Sequence, residues 1–406
     1  MDRPALAPLG LGLAALGRPA YITTHRSADL GADRSVAAMR ERAHRMLDAA
    51  WERGIRFIDA ARSYGLAEEF LGSWLAAHPD RRTALTIESK WGYEYVGEWR
   101  MDAPVHERKE HSLPMFERQW PATLAALGGA PDVYLIHSLT PDSPALGDAA
   151  LLDRLRELAA SGVRVGISTS GPRQGDALDA ARELADSPFS AVQATWNLLE
   201  PSAGPALSRA RDAGWLVVVK EAVANGRLAP AGGSGVIDPI DSGTDARVAS
   251  PADARGASVP ESVGEMSGGD ARDASVPESV GEMSGSDARG ASVPESVGEM
   301  SGSDARGASV PESAAAIQAS APSARAQLAS LADADGQTLD AFAIGAARSE
   351  PWADVVLSGA VTPAQLDSNL ASRAPGERAQ RALAGPAAPA EQPDDYWAAR
   401  SARDWT

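Results

Sequence analysis

The stretch FIDAARSYG, residues 57–65, is the part of the sequence that decides the fold. Its first residues form a short apolar run that ends on the carboxylate of Asp59, and Tyr64 follows five residues later. Two later strand-like runs also end on polar side chains, LTIESK at Lys90 and VYLIH at His137. Because the carboxyl ends of successive parallel strands can meet on one face of a fold, we expect these side chains to share a site.

Short apolar runs alternate with segments of helical periodicity along most of the chain, which predicts a parallel sheet flanked by helices. Strands are expected at residues 55–59, 84–90, 132–137, 163–168, 191–194, 215–220 and 354–358, with an eighth around Ala7 to Leu13. Helices are expected at residues 35–53, 66–77, 115–127, 149–160, 174–185, 203–213, 339–348 and 363–370.

Two architectures have this alternation, a closed barrel and an open doubly wound sheet. Polar side chains stand at nearly every strand's carboxyl end, namely Asp59, Lys90, His137, Ser168, Gln193 and Lys220. These ends converge on one face only in a barrel, whereas the edge strands of an open sheet would hold theirs far apart. The sequence therefore favours an α/β fold, a (β/α)8 TIM barrel that forms a single domain over residues 1–406.

A repeat with a period of 17 residues occupies residues 258–313, and the sequence SVPES begins at each of Ser258, Ser275, Ser292 and Ser309. Each unit is rich in Pro, Gly and Ser and offers too few apolar side chains to offset the entropy of ordering. We predict that residues 230–325 form a disordered insertion after strand 7. An interaction tether is the alternative. Since the insertion leaves the catalytic face, it either alters cofactor release or hangs in solvent.

The charge and composition exclude several classes of function. The net charge is −17, of which residues 230–325 contribute −9 (15 acidic, 6 basic), so the rest of the chain carries −8. This acidity argues against nucleic acid and anionic membranes as partners. With no cysteine, disulfides and thiolate catalysis are excluded, and no metal site is predicted. No signal-peptide pattern or membrane span is found, so a cytoplasmic protein is expected.

The four side chains of the opening motifs suit the reduction of a carbonyl group. A free phenol has a pKa near 10, too high for efficient proton donation at neutral pH, and a nearby ammonium lowers it. Lys90 can supply that ammonium for Tyr64, and Asp59 can hold Lys90 in place. His137 can hydrogen-bond the carbonyl oxygen of a substrate. The hydride must come from a cofactor, because no side chain can donate one.

Each residue also has a simpler interpretation. Taken alone, Asp59 is a helix cap or turn former, Lys90 a solvated cation and His137 a structural residue. Tyr64 before Gly65 could form a plain turn. The functional interpretation depends on the four occurring together on successive strand–helix units.

The chain resembles the aldo-keto reductase superfamily. DAARSYG, residues 59–65, is similar to the family's Asp-(Thr/Ala)-Ala-x-x-Tyr-Gly signature, and Lys90 and His137 stand where its catalytic lysine and histidine are expected. The resemblance implies a nicotinamide cofactor and a small-molecule carbonyl or alcohol substrate. It also implies Tyr64 as the general acid, tuned by Lys90 and Asp59, with His137 orienting the carbonyl.

The resemblance extends to the cofactor site. Ser168 and Gln193 match the family positions that bind the nicotinamide carboxamide, although Thr169 replaces the usual Asn. Lys220 stands where many members stack a tyrosine on the nicotinamide. The segment with Gly359, Gln365 and Asn369 is similar to the adenosine-phosphate segment of the family. The resemblance favours NADP(H) over NAD(H), although Gln365 stands where NADP-preferring members usually carry Lys or Arg.

Two alternatives remain at this stage. The chain could be a cofactor-binding regulatory or sensor protein with little turnover, since Lys220 is unusual and the insertion is acidic. Near the end of the sequence, Trp397 and Trp405 either line a substrate pocket or pack against the outside of the barrel.

Overall fold

Eight parallel strands close into a barrel in the computed structural model, which describes residues 5–22, 27–229 and 323–405. The barrel strands are β1 (Leu9–Gly12), β2 (Phe57–Asp59), β3 (Thr86–Trp91), β6 (Val133–Leu139), β7 (Arg164–Thr169), β8 (Ala191–Thr195), β9 (Leu216–Lys220) and β10 (Val355–Ser358). The last strand pairs with the first, with Leu9 opposite Val356 and Leu11 opposite Ser358. The predicted (β/α)8 barrel is therefore confirmed, and the open sheet is excluded.

The remaining two described strands form a hairpin that the sequence did not predict. β4 (Tyr93–Tyr95) and β5 (Glu107–Lys109) pair antiparallel, with Tyr93 opposite Lys109. The hairpin follows the carboxyl end of β3, so it rises from the face on which the polar strand ends were expected.

Helices surround the barrel: α1 (Val36–Glu52), α2 (Ala67–Ala77), α3 (Leu113–Leu127), α4 (Ala149–Ala160), α5 (Gln174–Glu183), α6 (Gly204–Asp212), α7 (Ala324–Ala334), α8 (Leu339–Arg348), α9 (Pro363–Leu370), α10 (Glu377–Leu383) and α11 (Pro393–Ser401). The eight predicted helices are present within a few residues of their expected ends, and α7, α10 and α11 are additional. Over the described ranges, no helix is both long and apolar enough to span a lipid bilayer.

Local sequence explains where these helices begin and end. Ser35 and Ser112 cap α1 and α3 by accepting hydrogen bonds from Ala38 N and Met115 N, both at 3.3 Å. Ser323 caps α7 through Ala326 N. Residues 323–325, predicted as the end of the insertion, thus form the N-cap and first residues of a helix. The rest of that predicted segment, with its repeats, lies outside the described residues.

The inside of the barrel changes in polarity along its axis. Phe57 and Val355, the first residues of β2 and β10, form a buried apolar cluster with Val218 and Leu357. Because alternate residues of a strand face the same side, Asp59 points into the barrel as Phe57 does. Glu88 and Lys90 share one parity on β3 in the same way. The carboxyl half of the barrel is therefore lined by polar side chains.

Helices α2 and α3 approach each other closely at a glycine. A Cβ atom on Gly72 would lie 1.8 Å from the carbonyl oxygen of Ala126. Only a residue without a side chain allows this backbone contact, which holds α2 next to α3 behind β2 and β3.

Candidate active site

A buried ion pair lies at the centre of the site. The ammonium of Lys90 donates hydrogen bonds to Asp59 Oδ1 and, at 2.9 Å, to the carbonyl oxygen of Ala60. Lys90 is fully buried and Asp59 is 3% exposed. Because the two strands pair with Asp59 opposite Glu88, Lys90 lies two residues beyond the level of the carboxylate, on the same strand face as Glu88, and its side chain reaches Asp59 directly. The structure thus brings together the first two predicted residues.

Tyr64 lies against this ion pair. The Lys90 Nζ atom is 4.7 Å from the centroid of the Tyr64 ring. The short segment after β2 folds back at this point, because the Tyr64 amide donates to the carbonyl oxygen of Ala61 at 3.0 Å. Among the described residues, the phenol oxygen has no hydrogen-bonding partner, so it is available to a substrate.

The ionisation of Tyr64 differs from the sequence-based expectation. Burial and the Asp59 carboxylate raise the pKa of Tyr64 well above its usual range, and Tyr21 adds to the effect. Lys90 was expected to lower that pKa, but burial and Asp59 produce a net rise. The raised pKa favours the neutral phenol, which carries the proton that a general acid donates.

His137 completes the group of four. Its ring meets the Tyr64 ring edge to face, with centroids 5.5 Å apart, and Nδ1 lies 3.2 Å from Ser63 Oγ. Burial and the nearby Lys90 lower the pKa of His137 well below its usual range. A neutral imidazole can still donate one hydrogen bond to a carbonyl oxygen.

The backbone is irregular directly after His137. The β6–β7 register shifts between Ile136 and Leu139, and Ser138 has a φ of 53°. Such irregularities re-aim side chains and are common beside active sites. The Ser138 amide donates to Ser168 Oγ at 2.7 Å, which holds the distorted segment in place.

Glu88 is a buried carboxyl that was not predicted from the sequence as a site residue. It is fully buried below Lys90 and accepts a hydrogen bond from Gln193 Nε2. Burial and Asp59 raise the pKa of Glu88 well above its usual range, while Lys90 opposes them. Glu88 lies two residues before Lys90, and alternate residues of a strand face the same side. This spacing could have predicted that Glu88 lies in the site.

Arg18 is a second residue near Tyr64 that was not predicted from the sequence. It lies in the segment after β1, six residues beyond the end of that strand. Its side chain is 3% exposed and forms an ion pair with Glu107 of the hairpin at 2.7 Å. Its guanidinium carbon lies 5.3 Å from the Tyr64 ring centroid and 4.6 Å from that of Trp405. Trp405 also stacks on His106 at 4.3 Å, and through Arg18 it lies close to Tyr64. Trp397 is buried and directs Nε1 toward Glu200 Oε1 at 3.4 Å.

Ser168 and Gln193 lie on the neighbouring strands β7 and β8, both buried. Gln193 Nε2 donates to Asp59 Oδ1 at 3.0 Å as well as to Glu88, which links the predicted cofactor residue to the buried Asp59–Lys90 ion pair. Its Oε1 atom accepts no hydrogen bond from any described residue. Thr169 is also buried and directs its hydroxyl toward Gln174 Oε1 at 3.4 Å.

Lys220 ends β9 and donates to Thr195 Oγ1 at 2.9 Å. Burial lowers the pKa of Lys220 to about 8, with Glu221 acting in the opposite direction. Burial acts to raise the pKa of Glu221, but Arg400 and Lys220 outweigh it and lower the value to about 2. The Arg400–Glu221 ion pair, at 2.5 Å, fastens α11 to this end of the barrel.

The three residues after β10 have separate surroundings. A Cβ atom on Gly359 would meet open space. Gln365 is engaged within the protein, since its Nε2 donates to Asp29 Oδ2 at 2.8 Å and its Oε1 accepts from Val361 N at 2.9 Å. Asn369 is buried, accepts a hydrogen bond from Ser358 Oγ and donates one to Asp340 Oδ2. It therefore links α9 to the end of β10 and to α8.

Comparisons with known proteins agree with this geometry. The sequence profile of the Aldo/keto reductase family matches residues 8–248. An aldo-keto reductase of Gibberella moniliformis is 34% identical over 119 residues, which are 29% of this chain and 34% of that protein. The match thus spans about a third of that relative's length.

Two solved structures share the architecture over nearly the whole chain. The glycerol dehydrogenase of Gluconobacter oxydans superposes with a TM-score of 0.55 at 18% identity, covering 97% of this chain and 92% of that one. The holo form of an aldo-keto reductase from Bacillus halodurans gives 0.53 at 17% identity, covering 96% and 95%. At such identities, the likeness is one of fold.

Proposed function

Because the chain belongs to the aldo/keto reductase family, we propose that it is an NAD(P)H-dependent oxidoreductase that reduces an aldehyde or ketone to an alcohol, or catalyses the reverse oxidation. Membership of the family implies oxidoreductase chemistry on carbonyl compounds. The observation that carries the proposal is the contact of Lys90 with both Asp59 and the Tyr64 ring, with His137 edge-on to the same ring.

In this proposal, each of the four side chains acts on the carbonyl oxygen or on the group that protonates it. Tyr64 donates its phenol proton to the substrate oxygen, and the Lys90 ammonium stabilises the phenolate that remains. Asp59 keeps Lys90 over the ring. His137, neutral because of its lowered pKa, donates a hydrogen bond that orients the carbonyl. The nicotinamide coenzyme, when bound, supplies the hydride.

The donors and acceptors near β7 and β8 fit a carboxamide. Ser168 Oγ accepts from Ser138 N and keeps its own hydrogen to donate, while Gln193 Oε1 is left to accept. Lys220 would lie near the same ring as a cation rather than as a stacking aromatic. Gly359, Gln365 and Asn369 would meet the adenosine end, where open space at Gly359 leaves room for a ligand. NADP(H) over NAD(H) stays a prediction.

Replacing Tyr64 with Phe tests the catalytic assignment. We expect kcat for carbonyl reduction to fall by roughly 10²- to 10⁴-fold, the usual contribution of a general acid, with coenzyme affinity unchanged. A panel of aldehydes and ketones with NADPH and NADH gives the rates, and quenching of coenzyme fluorescence gives the affinity. Tyr95→Phe is the matched control, because Tyr95 is a hairpin tyrosine that only accepts a hydrogen bond from Trp99 N.

The outcomes separate the two candidate functions. A Tyr64→Phe variant as active as the wild type would refute the role of Tyr64. A wild-type protein that binds a coenzyme but turns over no carbonyl would favour the regulatory or sensor alternative.

A further inference from the structure

A second cation lies near Tyr64, in addition to Lys90. Arg18 places its guanidinium carbon 5.3 Å from the Tyr64 ring centroid, and its NH1 group donates to the carbonyl oxygen of Ser63 at 3.0 Å. Arg18 therefore contacts both the ring of Tyr64 and the backbone that carries it. Each cation is part of an ion pair. Lys90 pairs with Asp59 inside the barrel, and Arg18 pairs with Glu107 of the hairpin.

Three separate parts of the chain meet at Arg18. The residue itself belongs to the segment after β1, its ion-pair partner Glu107 begins β5, and the ring of Trp405 comes from the C-terminal tail. Tyr21 adds a further ring, 5.0 Å from the guanidinium carbon. The side chain is only 3% exposed, and contacts on three sides hold its charge close to Tyr64.

We propose that the Arg18–Glu107 ion pair positions Tyr64 and tunes its readiness to give up a proton, with Arg18 favouring the phenolate and Glu107 opposing it. This inference deepens the function proposed above and rests on it. Arg18 and Glu107 act through Tyr64 and need not touch the substrate, so they are positioning residues.

The groups that face Tyr64 act in different directions. They are Asp59 on β2, Lys90 on β3, His137 on β6, Glu107 of the hairpin, and Arg18 and Tyr21 after β1. Burial and Asp59 make the largest contributions to the raised pKa of Tyr64, and Glu107 adds to them. Arg18 lowers that pKa. Because proton donation requires Tyr64 to become a phenolate in the end, a cation that opposes the burial effect favours catalysis.

The two members of the pair should therefore have opposite effects on Tyr64 when their charges are removed. We expect Arg18→Gln to lower the ratio of phenolate to phenol at Tyr64 at a fixed alkaline pH, by about tenfold at most. Glu107→Gln should raise that ratio, because it removes the opposing charge. Arg18→Lys keeps the cation and should stay close to the wild type.

NMR of the protein labelled with ¹³Cζ-tyrosine gives this ratio without any substrate or coenzyme. The chain has six tyrosines, and Tyr64→Phe identifies the signal that belongs to Tyr64. The pH dependence of alcohol oxidation is the second readout, since the phenolate must accept the proton in that direction. Its rising limb should move to higher pH in Arg18→Gln and to lower pH in Glu107→Gln.

Opposite shifts in the two variants support the proposal, because a loss of packing alone would not change sign with the charge removed. Shifts in the same direction, or an Arg18→Lys variant that behaves like Arg18→Gln, would overturn it. If Arg18→Gln does not fold, Glu107→Gln decides alone, and no rise in its phenolate ratio refutes the proposal. A wild type without carbonyl turnover would sink the proposed function but leave the NMR result interpretable.

Discussion

The Asp59–Lys90 pair places a charge of each sign in the interior of the barrel. A buried ion that loses its partner is strongly destabilising, whereas loss of both charges costs much less. We therefore expect Lys90→Met to lower the free energy of unfolding by about 3–5 kcal/mol, and the double variant Asp59→Asn/Lys90→Met to lower it by less. Urea titrations at neutral pH measure both. Equal or additive losses would show that the two charges do not stabilise each other.

His111 makes stability depend on pH. Its ring lies between Ser143 Oγ and the His137 carbonyl oxygen, at 2.7 Å from each, and burial followed by Lys109 lowers its pKa from 6.5 to about 4. Between these pH values the unfolded chain takes up a proton that the folded protein does not. Stability should therefore fall as the pH drops from about 6.5 to about 4, by about 3 kcal/mol from this residue.

The comparison of wild type with His111→Gln isolates that contribution. His137 titrates in the same direction in both proteins, so its effect cancels in the difference. Unfolding free energies from urea titrations across this pH window should converge as the pH falls, because only the wild type loses the His111 term. Two parallel pH profiles would contradict the assignment.

The sequence located most of the candidate catalytic residues because they lie at or near the carboxyl ends of strands. Asp59, Lys90 and His137 each follow an apolar run, so their position was readable without a structure. Arg18 was not, since it lies six residues beyond β1 and its contacts with Glu107 and Trp405 join distant parts of the chain. The raised pKa of Tyr64 also depends on burial in three dimensions, which sequence spacing does not give.

The contact between α2 and α3 makes a prediction for the elements. Gly→Ala within a helix is normally favourable by roughly 0.5–1 kcal/mol. At Gly72 the added methyl group would collide with the Ala126 carbonyl oxygen, so we expect Gly72→Ala to destabilise the protein by about 1–3 kcal/mol. Thermal and urea unfolding give the change.

Gly175 is the matched control, because it also lies in a helix but has room. A Cβ atom there would lie 3.6 Å from the Ala206 Cβ atom, an ordinary contact. Gly175→Ala should therefore be neutral or slightly stabilising. A gain of stability in both variants would contradict the collision expected at Gly72.

Regular elements were predicted well and irregular ones poorly, for a physical reason. The barrel strands are buried on both faces and appear as apolar runs. The hairpin strands do not, since β5 reads Glu-Arg-Lys and β4 alternates two tyrosines with a glutamate. The two hairpin strands pair with each other, and Glu107 of β5 pairs with Arg18, which also contacts Trp405. These contacts join distant parts of the chain, so no local sequence pattern predicts them.

At the scale of the whole molecule, the chain on both sides of residues 230–322 is tied together. Arg325 donates to the carbonyl oxygens of Arg227 and Ala229, at 2.8 and 3.1 Å. If the intervening stretch forms no core, as its composition predicts, it acts mainly as a long loop whose closure costs entropy. Replacing it with about ten Gly and Ser residues should then stabilise the protein by about 2 kcal/mol.

Unfolding free energies of the two proteins test this, with coenzyme dissociation rates as a second measurement. A loss of stability in the shortened protein would show that residues 230–322 contribute contacts of their own. A changed dissociation rate would support the idea that the insertion affects cofactor release.

The pairing of β10 with β1 has a consequence for synthesis on the ribosome. The barrel cannot close until β10 has been made, and residues 230–322, 93 in number, must be translated first. At about 5–20 residues per second, that stretch takes roughly 5–20 s. Should the seven earlier barrel strands pair during this interval, β1 and β9 would be the unpaired edges of an open sheet, an arrangement prone to pairing with other chains. We therefore expect chaperones to bind the nascent chain mainly while residues 230–322 are being translated.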